Sequence, residues 1–128
     1  MSASHPAAIN TAAALRQAYA AGQRYLSGIT LTGADLSHVI LKGSDLSYSD
    51  LSQANFSQAN LRGVDLSYAI LRQANFSHAD LRGAMLIGTD LRDANLTGAN
   101  VEAADYDPDE TQLPAGFDPA TAGMRAVR

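Results

Sequence analysis

Two histidines, several aspartates and five cations recur at fixed intervals in this 128-residue chain, and each set invites a chemical reading. His38 with His78 suggests a metal; Asp45 with Asp65, and Asp50 with Asp90, suggest paired carboxylates for acid and base chemistry. Lys42, Arg62 and Arg82 form one cationic series, and Arg72 with Arg92 a second, of the sort an anion would require. Tyr48, Tyr68, Ile70, Met85 and Ile87 make an aromatic and apolar set. Which of these chemistries is open to the chain depends on the elements that carry the residues.

Those elements are dictated by one spacing. From Leu31 a Leu or Phe recurs every fifth residue, through Leu36, Leu41, Leu46, Leu51, Phe56, Leu61, Leu66, Leu71, Phe76, Leu81, Leu86, Leu91 and Leu96, and Val101 and Tyr106 complete the register. A small residue, most often Ala, stands two positions before each, with Asp or Asn between. A helix would rotate each Leu by roughly 140° from the last and scatter them around its axis. A straight strand would send successive Leu side chains to opposite faces, because five is odd. Burial therefore requires a chain that turns by the same angle every five residues and winds around its own core.

The number of repeats per turn follows from the outward positions. A shift of 20 residues aligns Ser37 with Ser57, Gly43 with Gly63, Tyr48 with Tyr68, Gln53 with Gln73 and Arg62 with Arg82. A shift of 15 aligns far fewer, and a shift of ten loses the Gly, Tyr and Gln matches. The expected cross-section is a square of four pentapeptides per turn, in which Phe56 stacks on Phe76. The pattern resembles the pentapeptide-repeat family, and its flanks resemble those of cyanobacterial members. The resemblance implies an all-β solenoid, a right-handed quadrilateral parallel β-helix of about four coils. Departures occur at Ile40, Ile70 and Met85, where the polar middle residue is replaced, and at Val39, Ser44, Ser49, Val64 and Thr89, where Ala is expected.

Open solenoid ends invite stacking with other chains, so both flanks are expected to act as lids. Residues 1–28 are assigned as an N-terminal segment with a capping helix over 11–21, started by Asn10 or Thr11, stopped by Gly22, and facing Ala12, Leu15, Ala18 and Tyr19 inward. Residues 29–106 form the β-helix. Residues 107–128 form a C-terminal capping tail, with a short helix expected at Asp118 and Pro119 and with Leu113 and Phe117 closing the last coil.

In that frame most of the chemistry recedes. His38 and His78 lie two coils apart, roughly 10 Å, with Gln58 between them, too far to share an ion; His5 is assigned no role. The carboxylates project from a convex rod without an enclosed pocket. The net charge of −4, with no segment of strong basic excess, argues against direct nucleic-acid binding. The chain lacks Cys, has no apolar run of membrane length, and interrupts any leader-like stretch with Asn10, Thr11, Arg16 and Gln17. A cytoplasmic, monomeric, non-enzymatic interaction or scaffold module is expected, with no catalytic, metal or cofactor site. Its partner is expected to be another protein, held on the face bearing Tyr48, Tyr68, Met85, Ile87 and Ile70. Lys42, Arg62, Arg82, Arg72 and Arg92 are secondary candidates. The alternative implied by the family resemblance is an acidic rod that mimics DNA and binds DNA gyrase.

Overall fold

A computed structural model describes residues 8 to 127, which leaves His5 outside the described residues. From Tyr25 to Met85, each residue preceding a core Leu or Phe pairs in parallel with the residue 20 positions on. Tyr25 pairs with Asp45, Thr30 with Asp50, Asp35 with Asn55 and Ile40 with Asn60, and the series runs on to Met85 with Asp105. Hydrogen bonds run both ways between neighbouring coils: Leu36 N–H donates to the Asn55 carbonyl at 2.7 Å, and Asn55 N–H to that of Ala34 at 2.9 Å.

Between bridges the chain turns. The Ala54 N–H donates to the Leu51 carbonyl at 3.1 Å, and Ala74 does the same to Leu71. The second residue after each core Leu or Phe has positive φ, from Gly28 and Gly33 through His38, Gly43, Tyr48 and Gln53 to Gly98 and Ala103. A left-handed third residue in an i to i+3 turn is the type II requirement. With a turn in every five residues, little extended chain remains, so the expected sheets consist almost wholly of single-residue bridges. The named strands are β1 (Asp105–Tyr106) and β2 (Arg125–Ala126), paired in parallel.

The interior is filled as the period demands. Leu36, Leu41, Leu46, Phe56, Leu61, Leu66 and Phe76 are fully buried, and Ala54, Ala59, Ala69 and Ala74 stand beside them. Each large side chain contributes about 1.5–3 kcal/mol of burial. Phe56 and Phe76 stack with centroids 5.1 Å apart and planes 2° from parallel. Polar residues at the small inward position are buried but bonded. Ser44 Oγ donates to the Leu41 carbonyl and Thr89 Oγ1 to that of Leu66, while Ser49 Oγ accepts from the Ile29 N–H.

At the N-terminal end, α1 (Ala12–Ala20) starts at Thr11, whose hydroxyl accepts from the Ala14 N–H. It stops where Gly22 N–H reaches the Tyr19 carbonyl and Gln23 N–H that of Ala18, with Gly22 at φ +95°. That pair of bonds is a Schellman motif, and it needs a glycine. Leu15 is fully buried in the core, and Tyr19 and Arg16 donate to the upward-facing carbonyls of Lys42 and Ser37. The bridge ladder starts upstream of residue 29, at Tyr25, and Leu26 belongs to the core.

At the other end the chain leaves the five-residue register after Tyr106 and returns to it twice. Gln112 pairs with Asp90, and β2 pairs with β1 at the 20-residue offset. Leu113 and Phe117 pack against the core, and Met124 is buried in it. No helix forms at Pro119. Asp118 accepts from Ala120 and Thr121 as a cap would, but Gly123 at φ +87° ends the segment after one turn.

Candidate interaction surface

The aspartates and asparagines preceding each core residue have a local task. Their Oδ1 accepts the N–H two residues on, as in Asp45 to Ser47 at 2.9 Å, Asn55 to Ser57, Asp65 to Ser67 and Asn75 to Ser77. These Asx turns satisfy a corner N–H that the ladder does not use. Ser37 holds the Asp35 carboxyl below the usual aspartate range by donating both its hydroxyl and its N–H. The carboxylates that suggest acid and base chemistry are thus turn residues, half-exposed, and bonded to their own corners.

The cations are balanced from the same positions. Arg82 grips Asp80 through two bonds, Nε to Oδ1 at 2.9 Å and Nη2 to Oδ2 at 2.7 Å, and Arg92 grips Asp90 in the same manner. Both carboxyls are lowered, chiefly by those side-chain bonds, with burial opposing and the coil above adding attraction from Arg62 and Arg72 respectively. Lys42, Arg62 and Arg72 are exposed.

His38 and His78 are exposed at corners two coils apart, and the His78 ring packs against Gly98. Among the described residues, no group of three or more His, Asp or Glu is placed to hold a metal ion. A groove of about 420 Å³ runs beside the end of α1 and is lined by Gly22, Gln23, Arg24, Tyr25, Gly43 and Asp45. Its charged groups are already engaged: Arg24 lies 3.7 Å from the Tyr19 ring centroid, and Asp45 holds Ser47.

The remaining set is grouped about one corner of the rod, Met85 in the ladder before the tyrosines and Ile70 in the ladder after them. Tyr48 and Tyr68 stack at a centroid distance of 5.3 Å with planes 16° apart. Tyr48 is 69% exposed, Tyr68 and Ile70 43%, and Met85 39%. Ile87 is only half-buried, less open than the register implies; its neighbour Gly88 donates its N–H to Thr111 Oγ1 of the tail. The tail also reaches the stack, where Tyr68 Oη donates to Glu110 Oε2 at 3.0 Å. That bond and the charge of Glu110 raise the Tyr68 hydroxyl above its ordinary pKa.

The pentapeptide-repeat model matches eight copies across residues 25–63, 59–98 and 74–105. The chain belongs to the pentapeptide-repeat family. Pentapeptide-repeat proteins are right-handed β-helical solenoids, in keeping with the 20-residue ladder. A pentapeptide-repeat protein from Nostoc PCC 7120 is 49% identical, with TM-score 0.91 over 97% of this chain and 100% of that one. Another, from the cyanobacterium Cyanothece 51142, is 31% identical with TM-score 0.63, over 65% of this chain and 56% of that one. The plasmid-mediated fluoroquinolone resistance protein QnrB1 shares the fold at TM-score 0.55 and 20% identity, over 61% of this chain and 40% of that one. No curated protein matches the chain.

Within this pentapeptide-repeat protein, two features of the surface lie beyond the reach of the repeat. Glu110 meets Tyr68 from 42 positions away, through a tail that has left the register. Gly88 and Gly98 seat the Tyr68 and His78 rings, where an added Cβ would lie 2.4 Å from ring atoms. The signal available for the glycines was the aromatic or His residue 20 positions earlier in the same column.

Proposed function

We propose that this pentapeptide-repeat protein is a non-enzymatic interaction or scaffold module whose partner, another protein, docks on the side carrying Tyr48, Tyr68, Ile70, Met85 and Ile87. One observation carries the reading: the stacked tyrosines stand exposed at one corner of the rod, with exposed Met85 and Ile70 on the two ladders that flank it. Tyr and Met are enriched in interfaces, and a contiguous exposed apolar patch marks interaction sites. The aspartates that precede core residues are committed to turns and ion pairs, which supports the non-enzymatic reading. In this reading about four coils form a monomeric rod, closed by α1 above and the tail below, and the protein works in the cytoplasm. No described helix is long and apolar enough to cross a membrane. A gyrase-binding DNA mimic is not favoured, since Lys42, Arg62 and Arg72 interrupt the acidic surface and the QnrB1 likeness reaches the fold alone.

Ile70→Asn and Met85→Asn supply a fold-compatible test. Each removes exposed apolar surface while restoring the residue type that caps the corner. Affinity capture from native extract should recover a specific protein with the wild type and lose it with both variants. Equal recovery by all three rejects this side as the docking surface.

A further inference from the structure

We infer that the partner presents an arginine to this side, its guanidinium stacked on the open face of Tyr48 that is turned toward Gly28; this rests on the reading of the side as the docking surface. The geometry comes from the column formed by residues 28, 48, 68 and 88. Tyr68 lies down over Gly88, where an added Cβ would be 2.4 Å from its ring, and Tyr48 stacks on Tyr68 in turn. Nothing continues the stack. Gly28 occupies the next position up, an added Cβ there meets no atom within 4 Å, and Tyr48 is 69% exposed. One flat ring face, one coil spacing tall, is left open to solvent.

Charge identifies the planar group that fits it. Across residues 43–50, 63–70 and 83–90 the chain carries Asp45, Asp50, Asp65 and Asp90 and not one Lys, Arg or His. Of these, Asp90 is neutralised by Arg92. Glu110 is bonded to the Tyr68 hydroxyl, and Asp107 adds its charge to the same ring. Arg24 in the coil above shares a groove with Asp45 and lies over the Tyr19 ring. The negative excess therefore rests on Asp50, Asp65 and the tail acids, and an aromatic face in that field attracts a cation through both the ring quadrupole and the surrounding charge. Guanidinium is planar, weakly hydrated and able to stack while donating sideways to carboxylates, whereas ammonium is a strongly hydrated point charge. The chemistry thus selects arginine over lysine and excludes an acidic partner.

Blocked Arg-Gly-Arg, Lys-Gly-Lys and Gln-Gly-Gln peptides, titrated into the full chain at low salt, test this by aromatic-ring NMR. The chain has no Trp, so its few rings are readily assigned. The arginine peptide should shift the Tyr48 and Tyr68 ring signals, binding at least threefold tighter than the lysine peptide and tenfold tighter than the glutamine one. Tyr48→Gly suits the φ of 61° at that corner and removes the platform; Gly28→Tyr keeps the platform and covers it. Both should cost at least fivefold in arginine-peptide affinity. Equal binding of the arginine and lysine peptides, or affinity unchanged in both variants, overturns the inference. That failure, alongside protein capture that still depends on Ile70 and Met85, would reject the arginine and leave the docking surface standing. Capture indifferent to Ile70 and Met85 would reject the surface itself.

Discussion

Gly88 and Gly98 have positive φ beneath the rings of Tyr68 and His78, so they answer to two constraints, whereas Gly43 at φ +74° answers to one. Gly43→Ala should cost about 1 kcal/mol, the left-handed penalty of an L-residue. Gly88→Ala should cost about 1 kcal/mol more than that, because the added methyl displaces the Tyr68 ring from its stack on Tyr48. Urea denaturation measures both, and in a Tyr68→Gly background the excess should vanish. A second residue-level prediction concerns the exposed Ile70, which stands where other repeats place an Asx cap. Ile70→Asn restores an acceptor for the Arg72 N–H and should stabilise the protein by about 0.5–1 kcal/mol, the net worth of one hydrogen bond. Loss of stability in that variant would show that the isoleucine packs usefully despite its exposure.

At the scale of elements, α1 is held by a buried Leu15 and by two side chains that donate to carbonyls of the first coil. Leu15→Ala should destabilise by about 2–5 kcal/mol, the range for a large-to-small change in a packed core. Hydrogen exchange should speed up first at the amides of the first coil. Uniform acceleration along the whole rod would mean that the helix and the coils unfold only together. The coil period, the inward Leu and Ala, the stacked phenylalanines and the bounds of α1 were legible in the sequence, because a five-residue spacing and a Thr11-to-Gly22 pair each have one buried solution. The tail was legible only in part. Leu113 and Phe117 were readable as apolar residues after the last repeat, but the return of Gln112 and Arg125 to the ladder has no local signature. The helix expected at Pro119 fails because Gly123 stops it after one turn. The left-handed corners were also half-hidden. Glycine marks some of them, but Tyr48, Gln53, Gln58 and Asp93 occupy the same conformation with ordinary side chains.

For the molecule as a whole, charge is sorted by side. Lys42, Arg62 and Arg82 occupy one column and Arg72 and Arg92 another, and between them residues 43–50, 63–70 and 83–90 carry only acids, with Arg24 in the coil above and Arg125, paired with Asp105, below. Stability inherits a pH dependence from the pairs. The folded-state pKa values of Asp80 and Asp90 are depressed, chiefly by Arg82 and Arg92, so the stabilisation is complete above the unfolded aspartate value near 4. It is lost as the pH falls from there through the lower folded values. The urea midpoint should therefore drop below about pH 4, and Asp80→Asn with Asp90→Asn should drop less steeply over the same range. The claim on which the functional account turns is that one side of the rod, and no other, meets a partner. A photoreactive side chain placed in turn at positions 48, 70 and 85, and at 53, 58 and 93 as controls, tests it directly in living cells of the source organism. Crosslinks to one and the same protein from 48, 70 and 85, with none from the controls, are the predicted result; crosslinks from the control positions alone, or equally from every side, would contradict it.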